Sequence, residues 1–203
     1  AHKISALNPA SPLSAIVPEG EYSIKIIAVE NGVKTVVYAS DLIDFSKHKS
    51  VMDVGGGYGA VLENINAKHQ NVECILFDLE KVVEKVTIPN IKKISGNFFD
   101  QIPSLSEAII LSRVLHDWND EKANIILKNC FKALPNNGTL YVIENCSDKI
   151  KFDMSLLSLN MTAMCESYER TSIQYISHCK NVGFQFDNET TLNELQTILT
   201  FKK

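Results

Sequence analysis

The most restrictive feature of this sequence is a group of glycines between an apolar run and a helical pattern. The string Asp53-Val54-Gly55-Gly56-Gly57-Tyr58-Gly59 closes a short apolar strand, and Val61, Leu62 and Ile65 then recur at helical spacing. Glycine permits positive φ and lets a ligand approach the backbone closely. Four glycines in five residues are conformationally unfavourable without such a reason. We therefore expect a strand–loop–helix unit that contacts a small ligand.

Short apolar runs and amphipathic segments alternate from Ser50 onward. The predicted strands are 51–54, 72–77, 91–94, 108–111 and 140–143, and the predicted helices are 59–68, 79–86, 120–134, 152–164 and 171–183. Alternation of this kind predicts a mostly parallel sheet with helices on both faces. Residues 184–186 and 195–201 predict a final antiparallel strand pair. Ligands of such sheets bind at the carboxyl ends of the strands.

The first 48 residues differ in pattern from the rest. Pro9, Pro12, Pro18 and Gly20 predict an irregular start, and residues 21–48 are expected to be partly helical, ending near residues 41–45. We therefore divide the chain into a lead-in, 1–48, and an α/β domain, 49–203.

Composition excludes several classes of protein. The net charge is −4, and no stretch concentrates Lys and Arg, which argues against nucleic-acid or membrane-surface binding. No apolar run reaches the roughly 20 residues of a membrane helix, and residues 1–5 lack the long apolar segment typical of a secretory signal. Five cysteines without a C-x-x-C pair argue against a disulfide framework or a metal site. A reducing, cytoplasmic location is expected.

The second strand adds a carboxylate to the glycine loop. Asp78 lies 23 residues beyond Gly55, at a strand end expected to be exposed, where it can accept hydrogen bonds from ribose hydroxyls. The loop also fits the loose dinucleotide pattern G-x-G-x-x-A, so an NAD-dependent oxidoreductase is a minor alternative. Asp53 would stand where a pyrophosphate arrives, whereas a carboxylate suits a sulfonium. S-adenosylmethionine is therefore the favoured cofactor.

Six strings together carry a family resemblance. They are Asp53–Gly59, Phe77-Asp78-Leu79, Gly96-Asn97-Phe98-Phe99, Leu115-His116-Asp117-Trp118-Asn119-Asp120-Glu121, Ala133-Leu134-Pro135-Asn136-Asn137-Gly138 and Glu169-Arg170-Thr171. Over residues 40–203 the chain resembles S-adenosylmethionine-dependent small-molecule O-methyltransferases, including plant caffeate and flavonoid, acetylserotonin and bacterial polyketide enzymes. The resemblance implies a Rossmann-like class I methyltransferase fold with a seven-stranded sheet.

The resemblance also implies residue roles. His116 matches the catalytic base, and Glu144 and Glu169 match two carboxylates that flank the base or the substrate. The implied cofactor-binding residues are Asp53, Gly55, Gly57, Asp78, Asn97, Phe98 and Ser112. Of these, Asn97 replaces the usual Asp, and Ser112 stands where plant members often have Lys. Residues 166–168 replace a pair of glycines. Family members form dimers through an N-terminal domain, for which the roughly 50 residues before the loop are too few, so a homodimer is only one option.

These residues suggest a chemistry. A histidine that titrates near neutral pH can take a proton from a phenol or enol, and Glu144 or Glu169 can orient it, whereas Asp117 is expected to face elsewhere. Glu169 and Arg170 could instead form a surface ion pair. The predicted function is methyl transfer to a hydroxyl of a small aromatic or polyketide-like molecule. A catalytically silent homologue with a regulatory or assembly role is the alternative.

Overall fold

The computed structural model describes residues 27–30, 33–36, 38–149, 169–192 and 196–203. The helix predicted over 152–164 and the substituted stretch 166–168 lie outside these ranges. Of residues 27–36, the backbone alone is described.

A seven-stranded sheet forms the centre of the molecule. Its strands are β3 (Ser50–Val54), β4 (Glu73–Asp78), β5 (Ile91–Ser95), β6 (Ala108–Ser112), β7 (Thr139–Asn145), β8 (Gln185–Thr191) and β9 (Gln196–Lys202). They lie in the order β5-β4-β3-β6-β7-β9-β8. The first five pair in parallel, and β9 pairs antiparallel with both β7 and β8. The fold predicted from the sequence is confirmed, including the terminal antiparallel pair.

Helices cover both faces of this sheet. They are α1 (Ala39–Leu42), α2 (Ala60–Lys68), α3 (Glu80–Val83), α4 (Asp120–Ala133) and α5 (Ser172–Val182), with short 3₁₀ turns at Phe45–Lys47 and Leu115–Asp117. Asn119 caps α4 by accepting a hydrogen bond from the Lys122 N–H. Thr171 and Gln174 form the predicted capping box of α5, so this helix begins where the sequence indicates.

Alternating side chains of the buried strands separate two cores. Met52 and Val54 point to the core that also contains Leu127 of α4 and Tyr175 of α5. Val51 points to the other core, which includes the apolar side of α2. Successive strand residues face opposite sides, so a fully buried strand such as β3 supplies both cores at once.

Two local predictions are confirmed only in part. The segment expected to be partly helical contains α1 near its predicted end, but residues 27–30 (β1) and 33–36 (β2) form an antiparallel strand pair that was not predicted. The helix expected over 79–86 is limited to α3, which contains no fully buried residue. A short segment without a buried apolar face does not sustain a longer helix.

The strand order reverses beside β3. The chain moves outward from β3 to β4 and β5, and then returns to place β6 and β7 on the other side. Such a reversal is where ligands of open α/β sheets bind, at the carboxyl ends of the strands. The glycine loop, Asp78, His116 and Glu144 all follow or end strands at this edge.

Candidate active site

The glycine loop after β3 is shaped by left-handed backbone conformations. The φ angles are 68° at Gly55, 59° at Gly57 and 82° at Gly59, immediately before α2. A side chain on Gly56 would place its Cβ 2.2 Å from Leu76 Cδ1. The loop therefore requires glycine both for its backbone angles and for its close approach to β4.

Asp78 connects this loop to the neighbouring strand. Its Oδ2 accepts a hydrogen bond from the Gly57 N–H at 2.8 Å, and its Oδ1 accepts one from the Leu79 N–H at 2.7 Å. The residue is 2% exposed, so the expectation of an exposed strand end is wrong. Burial follows from these backbone contacts, which draw the carboxylate under the loop. Asp78 thus fixes the shape of the loop as well as presenting a carboxylate beside it.

Asp53 and Ser112 are both buried at the same edge. Asp53, in β3, has no exposed surface, and its Oδ2 would lie 3.0 Å from a Cβ on Gly56. Ser112 is the last residue of β6, the strand beside β3. The structure thus places Asp53 next to Gly56 of the glycine loop, and Ser112 at the end of the neighbouring strand. Their contact with a cofactor stays a prediction.

Phe98 and Asn97 follow β5 and border the loop differently. A Cβ on Gly55 would lie 3.5 Å from Phe98 Cε1, so this buried ring adjoins the loop. Trp118 packs edge-on against Phe98, with ring centroids 6.1 Å apart. Asn97 is exposed and its Oδ1 accepts a hydrogen bond from the Phe99 N–H. The Phe98 side chain is therefore placed as an apolar wall, and Asn97 shapes the turn that carries it.

His116 lies in the 3₁₀ turn after β6 and is fully buried. Its Nδ1 is 3.1 Å from Glu144 Oε2, and its Nε2 is 3.1 Å from Asp117 Oδ1. The prediction that Glu144 orients the ring agrees with this geometry. The expectation that Asp117 faces elsewhere is wrong, because the tight turn allows the short Asp117 side chain to curl back to the ring.

The charges around His116 change its titration. Burial and the Arg113 cation lower the pKa of His116, but Glu144 and Asp117 raise it more, to about 9. A protonated ring donates from Nδ1 to Glu144 and carries a positive charge that the nearby Asp117 carboxylate also attracts. The two carboxylates therefore favour the protonated ring and hold the pKa of His116 above the near-neutral range expected from the sequence.

Glu144 is the organising carboxylate of the site. Its Oε1 accepts hydrogen bonds from the N–H groups of Val114 and Leu115, at 2.9 and 2.8 Å. Its Oε2 lies 3.1 Å from both Arg113 Nη1 and His116 Nδ1. Burial raises the pKa of Glu144, but the His116 and Arg113 charges and these hydrogen bonds lower it below its usual value. Glu144 is thus held as an anion that fixes the turn.

Glu169 does not pair with the residue expected. Its carboxylate lies 3.1 Å from Arg113 Nη2 and accepts a hydrogen bond from Asn145 Nδ2 at 3.2 Å. It is 7% exposed, so the surface pair with Arg170 is not formed. These contacts place Arg113 between Glu169 and the Glu144–His116 pair.

Arg170 was not predicted as a site residue, because a surface ion pair with Glu169 was one expectation for it. It has no exposed surface. Its guanidinium donates to the carbonyls of Leu115 and Trp118 at 3.0 and 2.8 Å, and to Asp120 Oδ1 at 2.7 Å. Arg170 therefore holds both ends of the turn that carries His116 and Asp117 against the start of α5.

The described residues contain no group of three or more His, Cys, Asp or Glu side chains that could hold a metal ion. Within the same ranges, no helix is long and apolar enough to cross a membrane.

The site thus combines a buried histidine–glutamate pair with a glycine loop at one edge of an α/β sheet. Comparison with known proteins places the chain in a family. The sequence profile of the O-methyltransferase domain matches residues 20–185. The chain belongs to the O-methyltransferase family, which confirms the resemblance seen in the sequence.

Several relatives and solved structures are similar. Indole glucosinolate O-methyltransferase 5 of Arabidopsis thaliana is 38% identical over 145 residues, covering 66% of this chain and 39% of that protein. O-methyltransferase 7 of Dictyostelium discoideum is 32% identical over 166 residues, covering 79% and 49%. The crystal structure of human N-acetylserotonin methyltransferase in complex with SAM has a TM-score of 0.72 and 27% identity, covering 80% of this chain and 50% of that chain. The chain spans half or less of the length of these relatives.

Proposed function

We propose that this chain transfers a methyl group from S-adenosylmethionine to a hydroxyl of a small aromatic or polyketide-like molecule. The observation that carries the proposal is the His116–Glu144 pair, buried at the sheet edge that also bears the glycine loop and Asp78. The family supports the reaction type, and the names of the relatives include acceptors such as an indole glucosinolate and N-acetylserotonin.

The loop and its neighbours fit an adenosine-containing cofactor. Gly55 and Gly57 adopt positive φ angles. Because glycine has no side chain, the backbone at this sheet edge is open to a ligand. A carboxylate oxygen can accept more than one hydrogen bond, so the contact of Asp78 with Gly57 is compatible with a ribose hydroxyl. Phe98 supplies an apolar surface next to the loop. These residues would hold the nucleoside, and S-adenosylmethionine, when bound, supplies an electrophilic methyl group on a sulfonium.

His116 would act as the base at its Nε2 atom. Glu144 occupies Nδ1, so Nε2 would take up the proton of the acceptor hydroxyl while its oxygen gains the methyl group. The methyl–sulfur bond of the donor would break in the same displacement, leaving a neutral thioether. The acceptor hydroxyl must then replace Asp117 Oδ1, which lies 3.1 Å from that atom. Because the pKa of His116 is raised to about 9 in the ligand-free protein, we expect kcat/KM, which reports the free enzyme, to increase as the pH rises from 7 toward 9. Glu144 stabilises the imidazolium that forms.

Methyl transfer from radiolabelled S-adenosylmethionine tests the role of this base. The acceptors are a panel of phenols and hydroxyindoles, and the variants are His116→Gln and His69→Gln, a partly buried histidine at the end of α2. General base catalysis contributes roughly 10²- to 10⁴-fold, so His116→Gln should lose that much in kcat while His69→Gln stays near the wild type. Equal rates for His116→Gln and the wild type would contradict the base role.

One observation favours the silent homologue. His116 is fully buried and stands between two carboxylates, an arrangement that also suits a purely structural imidazolium. In that case the chain would bind S-adenosylhomocysteine but transfer no methyl group to any acceptor. His116→Gln would then lower the free energy of unfolding and have no other effect.

A further inference from the structure

Arg113 is a long cationic residue whose side chain is buried beside the site. It follows β6 with a left-handed φ of 56°, a conformation that is uncommon for a residue other than glycine. Its N–H donates to the Ile143 carbonyl at 2.9 Å, and its side chain is 9% exposed. The backbone therefore turns so that the guanidinium enters the interior instead of solvent.

The Arg113 guanidinium and the His116 ring contact the same oxygen atom of Glu144. Arg113 Nη1 and His116 Nδ1 are each 3.1 Å from Glu144 Oε2. Two cations thus share one carboxylate oxygen, and a stronger contact with one weakens the attraction available to the other. The other edge of the guanidinium faces Glu169, with Nη2 3.1 Å from Oε1 and Nη1 3.4 Å from Oε2.

We propose that Arg113 is a positioning residue that competes with His116 for Glu144 and so controls how readily His116 gives up its proton. The inference rests on the proposed function, in which His116 must be neutral to accept a proton. Glu169 then has a role of its own: by neutralising Arg113, it limits how strongly that cation opposes the proton on His116.

The surrounding charges set the direction of the effect. The titratable and charged groups that face this cluster from the described elements include Glu144 on β7, Asp117 in the same turn, Arg113 after β6, Glu169 and Arg170 before α5, and Tyr175 on α5. Like charges disfavour each other when buried. The Arg113 cation lowers the pKa of His116, and the two adjacent carboxylates raise it. Loss of Arg113 should therefore tighten proton binding by His116.

The test is a titration of the His116 ring by ¹⁵N-edited NMR from pH 6 to 11, in the whole chain without ligands. Arg113→Gln should move the midpoint upward by about one pH unit, a roughly tenfold gain in proton affinity. Glu169→Gln should move it downward, because the Arg113 charge is then less compensated. Arg113→Lys keeps a cation at the position and should restore most of the wild-type midpoint.

An unchanged midpoint in Arg113→Gln, or shifts of the same sign in the two glutamine variants, would overturn the proposal. If Arg113→Gln does not fold, Glu169→Gln decides alone, and a midpoint that stays or rises refutes the competition. The titration is measured on the resting protein and does not depend on methyl transfer. Opposite shifts with a fully active His116→Gln would therefore sustain the competition and reject the base role.

Discussion

Replacement of Glu144 by glutamine is the most informative single change in the buried cluster. One carboxylate oxygen accepts from the N–H groups of Val114 and Leu115, and the other meets Arg113 and His116. A glutamine can present its oxygen to one of these pairs alone, and its NH₂ group then faces the donors of the other pair. The substitution also removes the negative charge that two buried cations share.

The expected loss of stability follows from the charge and the hydrogen-bond partners that Glu144→Gln removes. Removal of one partner of a buried ion pair costs about 3–5 kcal/mol. Here Glu169 still neutralises Arg113, and His116 can release its proton, so we expect a value near the lower end, about 3 kcal/mol.

Urea unfolding at pH 7 measures this loss, with Glu73→Gln as the matched control. Glu73 forms an exposed pair with Lys92 at 3.4 Å, and such pairs contribute roughly 0–1 kcal/mol. A loss below about 1 kcal/mol for Glu144→Gln, or one equal to that of the control, would refute the account of Glu144 as the organising carboxylate.

Further predictions concern His116 and the glycine loop. The pKa of His116 is raised from 6.5 to about 9, so its stabilisation is fully present below pH 6.5 and is lost as the pH rises through 9; the span corresponds to roughly 3 kcal/mol. Urea unfolding at pH 6 and pH 10 should show this loss in the wild type, and a similar loss in His116→Gln would contradict it. Gly56→Ala would bring a Cβ to 2.2 Å from Leu76 Cδ1 and should destabilise the chain by about 1–3 kcal/mol. A melting temperature equal to that of the wild type would show that the loop has room for a side chain.

The alternation of apolar runs was enough to predict the main sheet. Strands β3 to β7 differ from the predicted bounds by a residue or two. Most of them, such as β3 and β6, are buried along their whole length and are followed by polar or glycine residues. The strand pair β1–β2 was missed although Asn31-Gly32 lies between two β-branched runs. That dipeptide is a strong hairpin signal, so the strand pair has a local signature in the sequence.

The location of the site could be predicted from the sequence, but the contacts among its side chains could not. Asp78, His116 and Glu144 follow or end strands whose carboxyl ends meet at one edge, so their proximity follows from the topology. The buried position of Arg113 depends on a left-handed residue, and that of Arg170 on three acceptors from another segment. Neither arrangement has a periodic signature in the sequence, and for that reason both cations were missed.

Calorimetric titration of the chain with S-adenosylhomocysteine, and separately with NAD⁺, tests the central claim most directly. We predict binding of S-adenosylhomocysteine at one site and no heat from NAD⁺. Asp78→Ala should weaken that binding by about 1.5–3 kcal/mol, as expected for lost hydrogen bonds to a charged group. Because Asp78 also holds the Gly57 N–H, folding of the variant is checked first by its urea midpoint. Binding of NAD⁺ in place of S-adenosylhomocysteine, or unchanged affinity in a folded Asp78→Ala, would contradict the assignment of the glycine loop and Asp78 as the methyl-donor site.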